Sequence, residues 1–158
     1  MPPSLASTHR EIRRFDDLAS VLAGQVFHVT TTAGYEAILA AGAVEPNTVE
    51  RASPFGNTRN GFFRLRGCVS VFDYRAYGSP KWQEHAHKCL PTSPLREDRP
   101  VVVLFLKEAH HPDLILWSKW KDEAAWSQRV VPHVEAGYPG SLPLTAIKHV
   151  LQVSLVPQ

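Results

Sequence analysis

The sequence contains few cysteines, no long apolar run and little net charge. Its 158 residues include two cysteines, Cys68 and Cys89, too few for a disulfide framework and typical of a reducing compartment, with a single bridge as the alternative. No apolar run approaches the roughly 18 residues of a membrane span, and Met1-Pro-Pro-Ser begins no basic and then apolar leader. A formal charge of +2 gives no strong attraction to nucleic acid or lipid. We therefore expect a soluble, cytoplasmic protein with no membrane partner.

Several motifs that carry chemistry are also absent. The sequence has no glycine-rich phosphate loop, nucleophile elbow, His-Glu-x-x-His or paired Cys-x-x-Cys. One cluster of metal-binding residue types is present, His85-Ala-His87-Lys-Cys89, and on a strand its spacing of two would place three ligands on one side. A structural zinc site normally draws ligands from a second segment, where Cys68 and the pair 110–111 are the obvious donors. We predict no metal site, with a soft divalent ion at this cluster as the alternative.

The patterns that are present indicate one α+β domain over residues 1–158. Hydrophobic residues at 44% and charged residues at 20% are ordinary for a globular chain long enough to bury a core. Residues 1–14 are polar and basic and predict a flexible arm or a short helix. Several short strands with helices near the front favour α+β over alternating βαβ units.

Local signals predict the individual elements. The continuous apolar run 101–106 is typical of a central strand. Thr31 or Thr32 is positioned to begin a helix that Gly42 ends. Further strands are predicted at 26–29, 68–72, 129–134 and 147–156, and helical segments at 15–23, at 82–89 and within 114–126.

Two segments at opposite ends of the sequence carry the residues of greatest chemical interest. The first is Gln25-Val-Phe-His28-Val-Thr30, in which strand alternation places His28 and Thr30 on one face. The second begins with Glu135 at a predicted strand end, ahead of a Pro/Gly turn and the last apolar strand. Taken singly, these residues have plainer interpretations: a half-buried histidine bonded to a carbonyl, and a solvated carboxylate.

Together the segments at about 25–46 and 129–156 resemble the ADP-ribosyltransferase superfamily, in particular the DNA-targeting ADP-ribosyltransferase toxins and the RNA 2′-phosphotransferases. The resemblance implies a split β-sheet core with flanking helices and NAD as co-substrate. It also implies that His28 and Thr30 bind the adenosine half of NAD, and that Glu135 is the catalytic carboxylate at the reacting ribose.

Between these segments the resemblance rests on strand order alone. Related enzymes place an arginine, tyrosine or serine on or just before the second core strand. The resemblance therefore implies that Arg66 contacts phosphate as a further catalytic residue, with Arg59 as another cofactor-binding arginine. Ser70 would line one face of the sheet, and the ring of Tyr74 would stack on nicotinamide. The plainer alternatives are an exposed basic loop and a core aromatic.

The function that the resemblance implies is mono-ADP-ribosyl transfer by a toxin or effector, to a protein side chain or a nucleic-acid base. An antitoxin or inhibitor is then an expected partner, and the loop 46–61 is the candidate for acceptor recognition. Trp117, Trp120 and Trp126 with Lys119 and Lys121 suggest a nucleic-acid stacking platform, although core packing explains such spacing as well. Alternatives on the same fold are an RNA 2′-phosphotransferase, an NAD hydrolase and a non-catalytic binding or inhibitor module.

Overall fold

The computed structural model describes residues 5–47 and 60–157 as a mixed α/β structure with a mostly antiparallel sheet, which confirms the α+β expectation at that level. Within these residues no helix has the length and hydropathy to cross a membrane. The strands are β1 Ser7–Ile12, β2 Val26–Thr31, β3 Ala43–Val44, β4 Cys68–Asp73, β5 Val101–Leu106, β6 Ile115–Leu116, β7 Glu135–Pro139, β8 Leu142–Pro143 and β9 Ile147–Leu155. The α-helices are α1 Ala19–Leu22, α2 Thr32–Ala41, α3 Phe62–Leu65, α4 Pro80–Ala86 and α5 Ser118–Asp122, and short 3-10 helices cover Phe15–Leu18, Glu108–Asp113 and Leu144–Ala146.

Seven strands form the main sheet in the order β1-β9-β5-β2-β4-β7-β6, and β3 and β8 form a two-stranded sheet. Within the main sheet β1 runs parallel to β9, and the other neighbouring pairs are antiparallel. All six residues of β5 are buried, because β5 lies inside the sheet and has a hydrophobic layer on each face. The prediction of a central strand at 101–106 is therefore confirmed.

Each face of the sheet is covered by its own hydrophobic layer. On one face Phe27 and Phe105 pack with Leu18 before α1 and Trp82 of α4. On the other face the sheet valines pack with residues such as Ile38 of α2. A third cluster, with Phe62 and Phe63 of α3, lies beside β4. These layers hold β2, β4 and β7, which carry the candidate site.

The expectation of a flexible arm or a short helix at residues 1–14 is wrong for residues 7–12, and residues 1–4 lie outside the described part of the chain. Residues 7–12 form β1, which pairs with β9 from Ser7 opposite Val150 to Ile12 opposite Leu155. Five of its six side chains are exposed and Ile12 is buried, so the segment has no apolar alternation to mark a strand. Backbone pairing with β9 fixes its conformation, and such a pairing is invisible to local patterns.

The strand expected at 129–134 begins later, so Glu135 opens a strand rather than following one. Pro132 has no N–H to donate, and His133 adopts a left-handed φ of 64°, which turns the chain before β7. Gly137 then sits inside β7 because Phe63 packs against its Cα. A Cβ at Gly137 would lie 2.3 Å from Cδ1 of that ring.

The predicted boundaries of the helix after β2 are confirmed. The Thr31 side chain accepts a hydrogen bond from the Gly34 N–H at 3.1 Å, which satisfies one of the N–H groups at the helix start. Gly42 ends α2 with a left-handed φ of 80°, a conformation that glycine adopts without strain. The Thr31 cap places α2 directly after β2, and Gly42 ends the helix.

Candidate functional site

The strands β2 and β4 separate partway along their length. They pair at two positions, Val26 with Asp73 and Phe27 with Phe72. Beyond these positions β2 continues to pair with β5 on its other side up to Thr31, and β4 continues to pair with β7 down to Cys68. The two strands therefore leave a gap between them, which we call the cleft.

A cavity of about 520 Å³ occupies the cleft, a volume suited to a small molecule. Five consecutive residues of β4, 68–72, line it. Because successive strand residues point to opposite faces, this lining shows that the open edge of β4 forms one wall. The remaining walls come from β2, the loop after β3, α3, the residues just after α4 and the segment leading into β7. Their polar and charged members, with one valine, are His28, Thr30, Glu45, Asn47, Arg64, Lys88, Cys89, Arg129, Val131 and Glu135.

His28 connects the two strands across the cleft. Its Nδ1 lies 2.9 Å from the Ser70 carbonyl oxygen, and because a carbonyl only accepts, Nδ1 carries the proton. Burial lowers the pKa of His28, and the bond to Ser70 opposes this change. The ring is therefore neutral at pH 7, and its Nε2 is an acceptor for a donor such as a ligand hydroxyl.

Thr30 lies on the same face of β2 as His28, and both line the cavity. Its side chain rests directly against the first turn of α2. A Cβ built at Gly34 would lie 2.0 Å from Thr30 Oγ1. The absence of a side chain at Gly34 therefore leaves the space that Thr30 needs at the cavity wall.

Glu135 is the first residue of β7, where it pairs opposite Phe72 of β4, and its side chain lines the cavity. Its Oε1 accepts a hydrogen bond from the Val131 N–H at 3.0 Å, and its own N–H donates to the Val131 carbonyl at 3.0 Å. Burial raises the pKa of Glu135 to about 7, and the Val131 bond opposes this rise. Within residues 5–47 and 60–157 no cationic side chain forms an ion pair with it. In its ionised form the carboxylate is therefore stabilised mainly by the Val131 N–H, which does not offset the cost of its burial.

Both cysteines of the chain line the same cavity. Burial, and secondly the nearby charge of Glu135, raise the pKa of Cys89 to about 11. Burial also raises the pKa of Cys68, so both thiols are protonated at neutral pH. Because α4 extends to Ala86 and a turn follows it, the strand on which His85, His87 and Cys89 would share one side does not form, and the described part of the chain holds no cluster of three metal-binding residues.

Of the arginines singled out in the sequence, Arg66 lies outside the cavity lining. Its Nη1 donates to the Phe62 carbonyl at 3.0 Å and to Gln128 Oε1 at 2.7 Å, and its guanidinium also pairs with Glu123. The phosphate contact predicted for Arg66 stays a prediction, which these contacts do not favour. Arg59 lies outside the described residues. The arginines that line the cavity are Arg64 and Arg129.

Tyr74 and Ser70 also differ in their relation to the cleft. Tyr74 is 4% exposed, and its ring makes edge contacts with Phe27 and Trp82, each at 4.9 Å. It does not line the cavity, so its predicted stacking on nicotinamide stays a prediction without support from its position. Ser70 does line the cavity, and its carbonyl accepts the His28 bond.

The structure adds wall residues that sequence reasoning did not assign to the site. Arg129 and Lys88 are exposed side chains on the wall, and Cys89 lies near Glu135. No periodicity or motif marks Arg129 or Lys88, and Cys89 stood out only within the His85-Ala-His87-Lys-Cys89 cluster, because turns at the end of α4 and before β7 bring these residues to the cleft. Arg64 was visible in the sequence as one of three arginines before β4, and its place at the cavity distinguishes it from Arg66.

No protein-family model, curated protein or solved structure matches this chain.

Proposed function

We propose that the protein is an NAD-dependent mono-ADP-ribosyltransferase that holds NAD in the cleft between β2 and β4. The observation that carries this proposal is Glu135, a half-buried cleft carboxylate that forms no ion pair with a cation among residues 5–47 and 60–157. The separation of β2 from β4 further supports the split-sheet core that the sequence resemblance implies.

The chemistry needs a negative charge beside the sugar. When the bond between nicotinamide and ribose breaks, its electron pair leaves with nicotinamide, and positive charge develops on the ribose as an oxocarbenium-like centre. A fixed carboxylate in a water-poor site stabilises such a charge more strongly than water does. Glu135 is suited to this role because an approaching positive charge favours its ionised form and relieves the cost of its burial.

The other wall residues supply groups for the rest of the co-substrate. Neutral His28 offers Nε2 as an acceptor for a ribose hydroxyl, and Thr30 offers a hydroxyl beside it. Arg64 and Arg129 supply planar guanidinium groups, which bind phosphate oxygens in pairs. We therefore transfer the phosphate role expected of Arg66 to these two arginines.

The proposal includes two classes of acceptor for the ADP-ribose. A protein side chain and a nucleic-acid base are both compatible with the mechanism up to the arrival of the nucleophile. A toxin or effector of this kind would act in the cytoplasm and be held in check by an antitoxin or inhibitor. Recognition of the acceptor by the loop 46–61 stays a prediction, because most of that loop lies outside the described residues.

NAD hydrolysis is the second candidate function. A carboxyl group with a pKa of about 7 is close to the working pH, where it can take a proton from a water molecule. The same Glu135 would then assist attack by water in place of a macromolecular acceptor. Product analysis separates the two functions, since hydrolysis releases free ADP-ribose and transfer leaves it attached to a macromolecule.

The test is nicotinamide release from NAD in a cell extract, combined with calorimetric NAD binding to the purified protein. We expect wild type to bind NAD and release nicotinamide, and Glu135→Gln to bind NAD with release at least about 100-fold slower, the scale of losing one electrostatic contact in a transition state. Glu11→Gln, at an exposed position on β1, is the matched control and should behave as wild type. Absence of NAD binding by wild type would overturn the proposal.

A further inference from the structure

Trp126 is an exposed tryptophan held in a fixed orientation. Its side chain is 61% exposed, although tryptophan is highly buried on average. The ring makes a T-shaped contact with Trp120, with centroids 4.7 Å apart and planes at 90°. Trp120 is itself fixed, because its Nε1–H donates to the Gln128 carbonyl at 2.9 Å. An aromatic face is therefore presented to solvent without the freedom of an ordinary surface side chain.

Cationic side chains lie in the same segment as this ring. Lys119 and Lys121 are exposed on α5, and Arg129 is exposed three residues beyond Trp126. The nearby Glu123 is paired with Arg66 and, at 4.0 Å, with Lys119. We call Lys119, Lys121, Trp126 and Arg129 the aromatic–cationic surface. The exposed Asp122 of α5 lies in the same segment, so the three cations of the surface are accompanied by one carboxylate besides Glu123.

The aromatic–cationic surface is continuous with the wall of the cleft. Arg129 and Val130 line the cavity, and the Arg129 carbonyl accepts a hydrogen bond from the Phe62 N–H at 2.9 Å. Trp120 packs from behind on the cluster that contains Phe62. A molecule lying over Trp126 and Arg129 therefore reaches the mouth of the cavity.

We propose that the aromatic–cationic surface binds single-stranded nucleic acid. The exposed indole would stack on an unpaired base, and the lysines and Arg129 would contact the flanking phosphates. A protein partner fits less well, since lysine is depleted from the centre of protein interfaces. A duplex fits less well because its bases are already stacked. The proposal does not depend on NAD chemistry in the cleft.

The test is binding of a fluorescent oligothymidylate, followed by anisotropy at several salt concentrations and without NAD. We expect Trp126→Ala to weaken binding about tenfold, the scale of one lost base stack, and Trp126→Phe to retain most of the affinity. Phe15→Ala is the matched control, since Phe15 is 45% exposed outside this surface, and it should bind as wild type.

The cationic contribution has its own readout. Lys121→Ala should reduce the slope of log K against log salt by about 0.7, the value for one phosphate contact on a single strand. Lys81→Ala removes a charge that is 74% exposed on α4, and it should leave the slope unchanged. Circular dichroism and denaturation of each variant establish that the fold is retained.

Three outcomes of the nucleic-acid measurements would overturn the proposal. The first is no binding by wild type at low salt, and the second is equal binding by wild type and folded Trp126→Ala. The third is equal affinity for a duplex of the same length. Tryptophan-dependent binding of polyglutamate with the same affinity would instead identify an acidic protein partner and also overturn it. Since NAD is absent from these measurements, failure here is distinct from failure of nicotinamide release.

Discussion

Among single residues, Glu135 has the environment most relevant to function. Its carboxylate is half-buried beside a thiol and is held by one backbone N–H, with no ion pair to a cation in the described residues. A carboxyl group placed in this way lowers the stability of the protein whenever it is ionised. Such a cost at a cleft residue is typical of functional sites.

This arrangement predicts a pH dependence of stability. The pKa of Glu135 is raised from 4.5 to about 7, so the folded state binds the proton more tightly than the unfolded state. The contribution of Glu135 to the free energy of unfolding is therefore fully present below pH 4.5 and falls by up to about 3 kcal/mol as the pH rises through 7. Urea denaturation across this range should show the fall in wild type and its absence in Glu135→Gln. Parallel profiles for the two proteins would contradict the assignment.

The hydrogen bond from His28 to the Ser70 carbonyl should stabilise the protein, so its removal should lower stability. His28→Ala removes the donor and opens a space at the cleft, so we expect the free energy of unfolding to fall by about 1 to 3 kcal/mol. His87→Ala, at an exposed position after α4, is the control and should change stability by less than about 0.5 kcal/mol. Equal stability of His28→Ala and wild type in chemical denaturation would show that the bond does not hold the strands together.

At the scale of elements, the absence of a side chain at Gly137 allows α3 to pack on β7. Gly137→Ala would place a Cβ 2.3 Å from Phe63 Cδ1 and 2.9 Å from Cys68 Cβ. Overpacking of this kind costs about 1 to 3 kcal/mol, to be measured by chemical denaturation. Ser70→Ala is the control, because Ser70 lies directly opposite Gly137 on β4 and its side chain is exposed. Equal stability of the two variants would contradict the packing argument.

The strand β1 makes a second prediction at this scale. Deleting residues 1–12 removes the buried Ile12 and exposes the backbone edge of β9, which then becomes a template for pairing between molecules. We expect a lower free energy of unfolding and self-association by light scattering. Deletion of residues 1–4 is the control and should remain unassociated. A fully stable, monomeric protein lacking residues 1–12 would show that β1 is dispensable.

The sequence predicted those elements whose signals are local. The apolar run of β5 and the two caps of α2 are set by side chains within a few residues of each boundary. The strands β1 and β7 were missed or misplaced because β1 has no apolar alternation and β7 contains Gly137 and Pro139, residues typical of turns. Pairing with β9 and with β4 determines these strands, and such contacts cross long stretches of sequence.

The same distinction applies to the site. His28, Thr30 and Ser70 lie on strands predicted from local patterns, and the structure brings them to the cavity together with Glu135. The two residues that lie away from the cavity lining, Tyr74 and Arg66, are those whose position depends on packing. Tyr74 packs in the aromatic core, and Arg66 hydrogen-bonds to Gln128 and pairs with Glu123. Neither choice is encoded near those residues in the sequence.

At the scale of the whole molecule, the cleft brings both thiols to one ligand-sized cavity. On the proposed binding of NAD in this cavity, NAD should shield Cys89 from alkylation, most clearly in Cys68→Ser, where Cys89 is the single thiol. Because the pKa of Cys89 is about 11, labelling is slow at neutral pH and accelerates about tenfold per pH unit below that value. Mass spectrometry of time points with and without NAD measures the effect. Equal rates would show that NAD binds elsewhere or not at all.

The pairing of β1 with β9 also constrains when the molecule can form. Ser7 pairs opposite Val150, so β1 cannot pair until a segment far along the sequence has been synthesised. The central strand β5 also pairs with β9 on one side. A growing chain therefore lacks the strand between β1 and β5 until β9 has left the ribosome. Contacts this distant in sequence slow folding. The cleft thus acquires its full framework only after translation has reached β9, which delays any activity of the nascent chain.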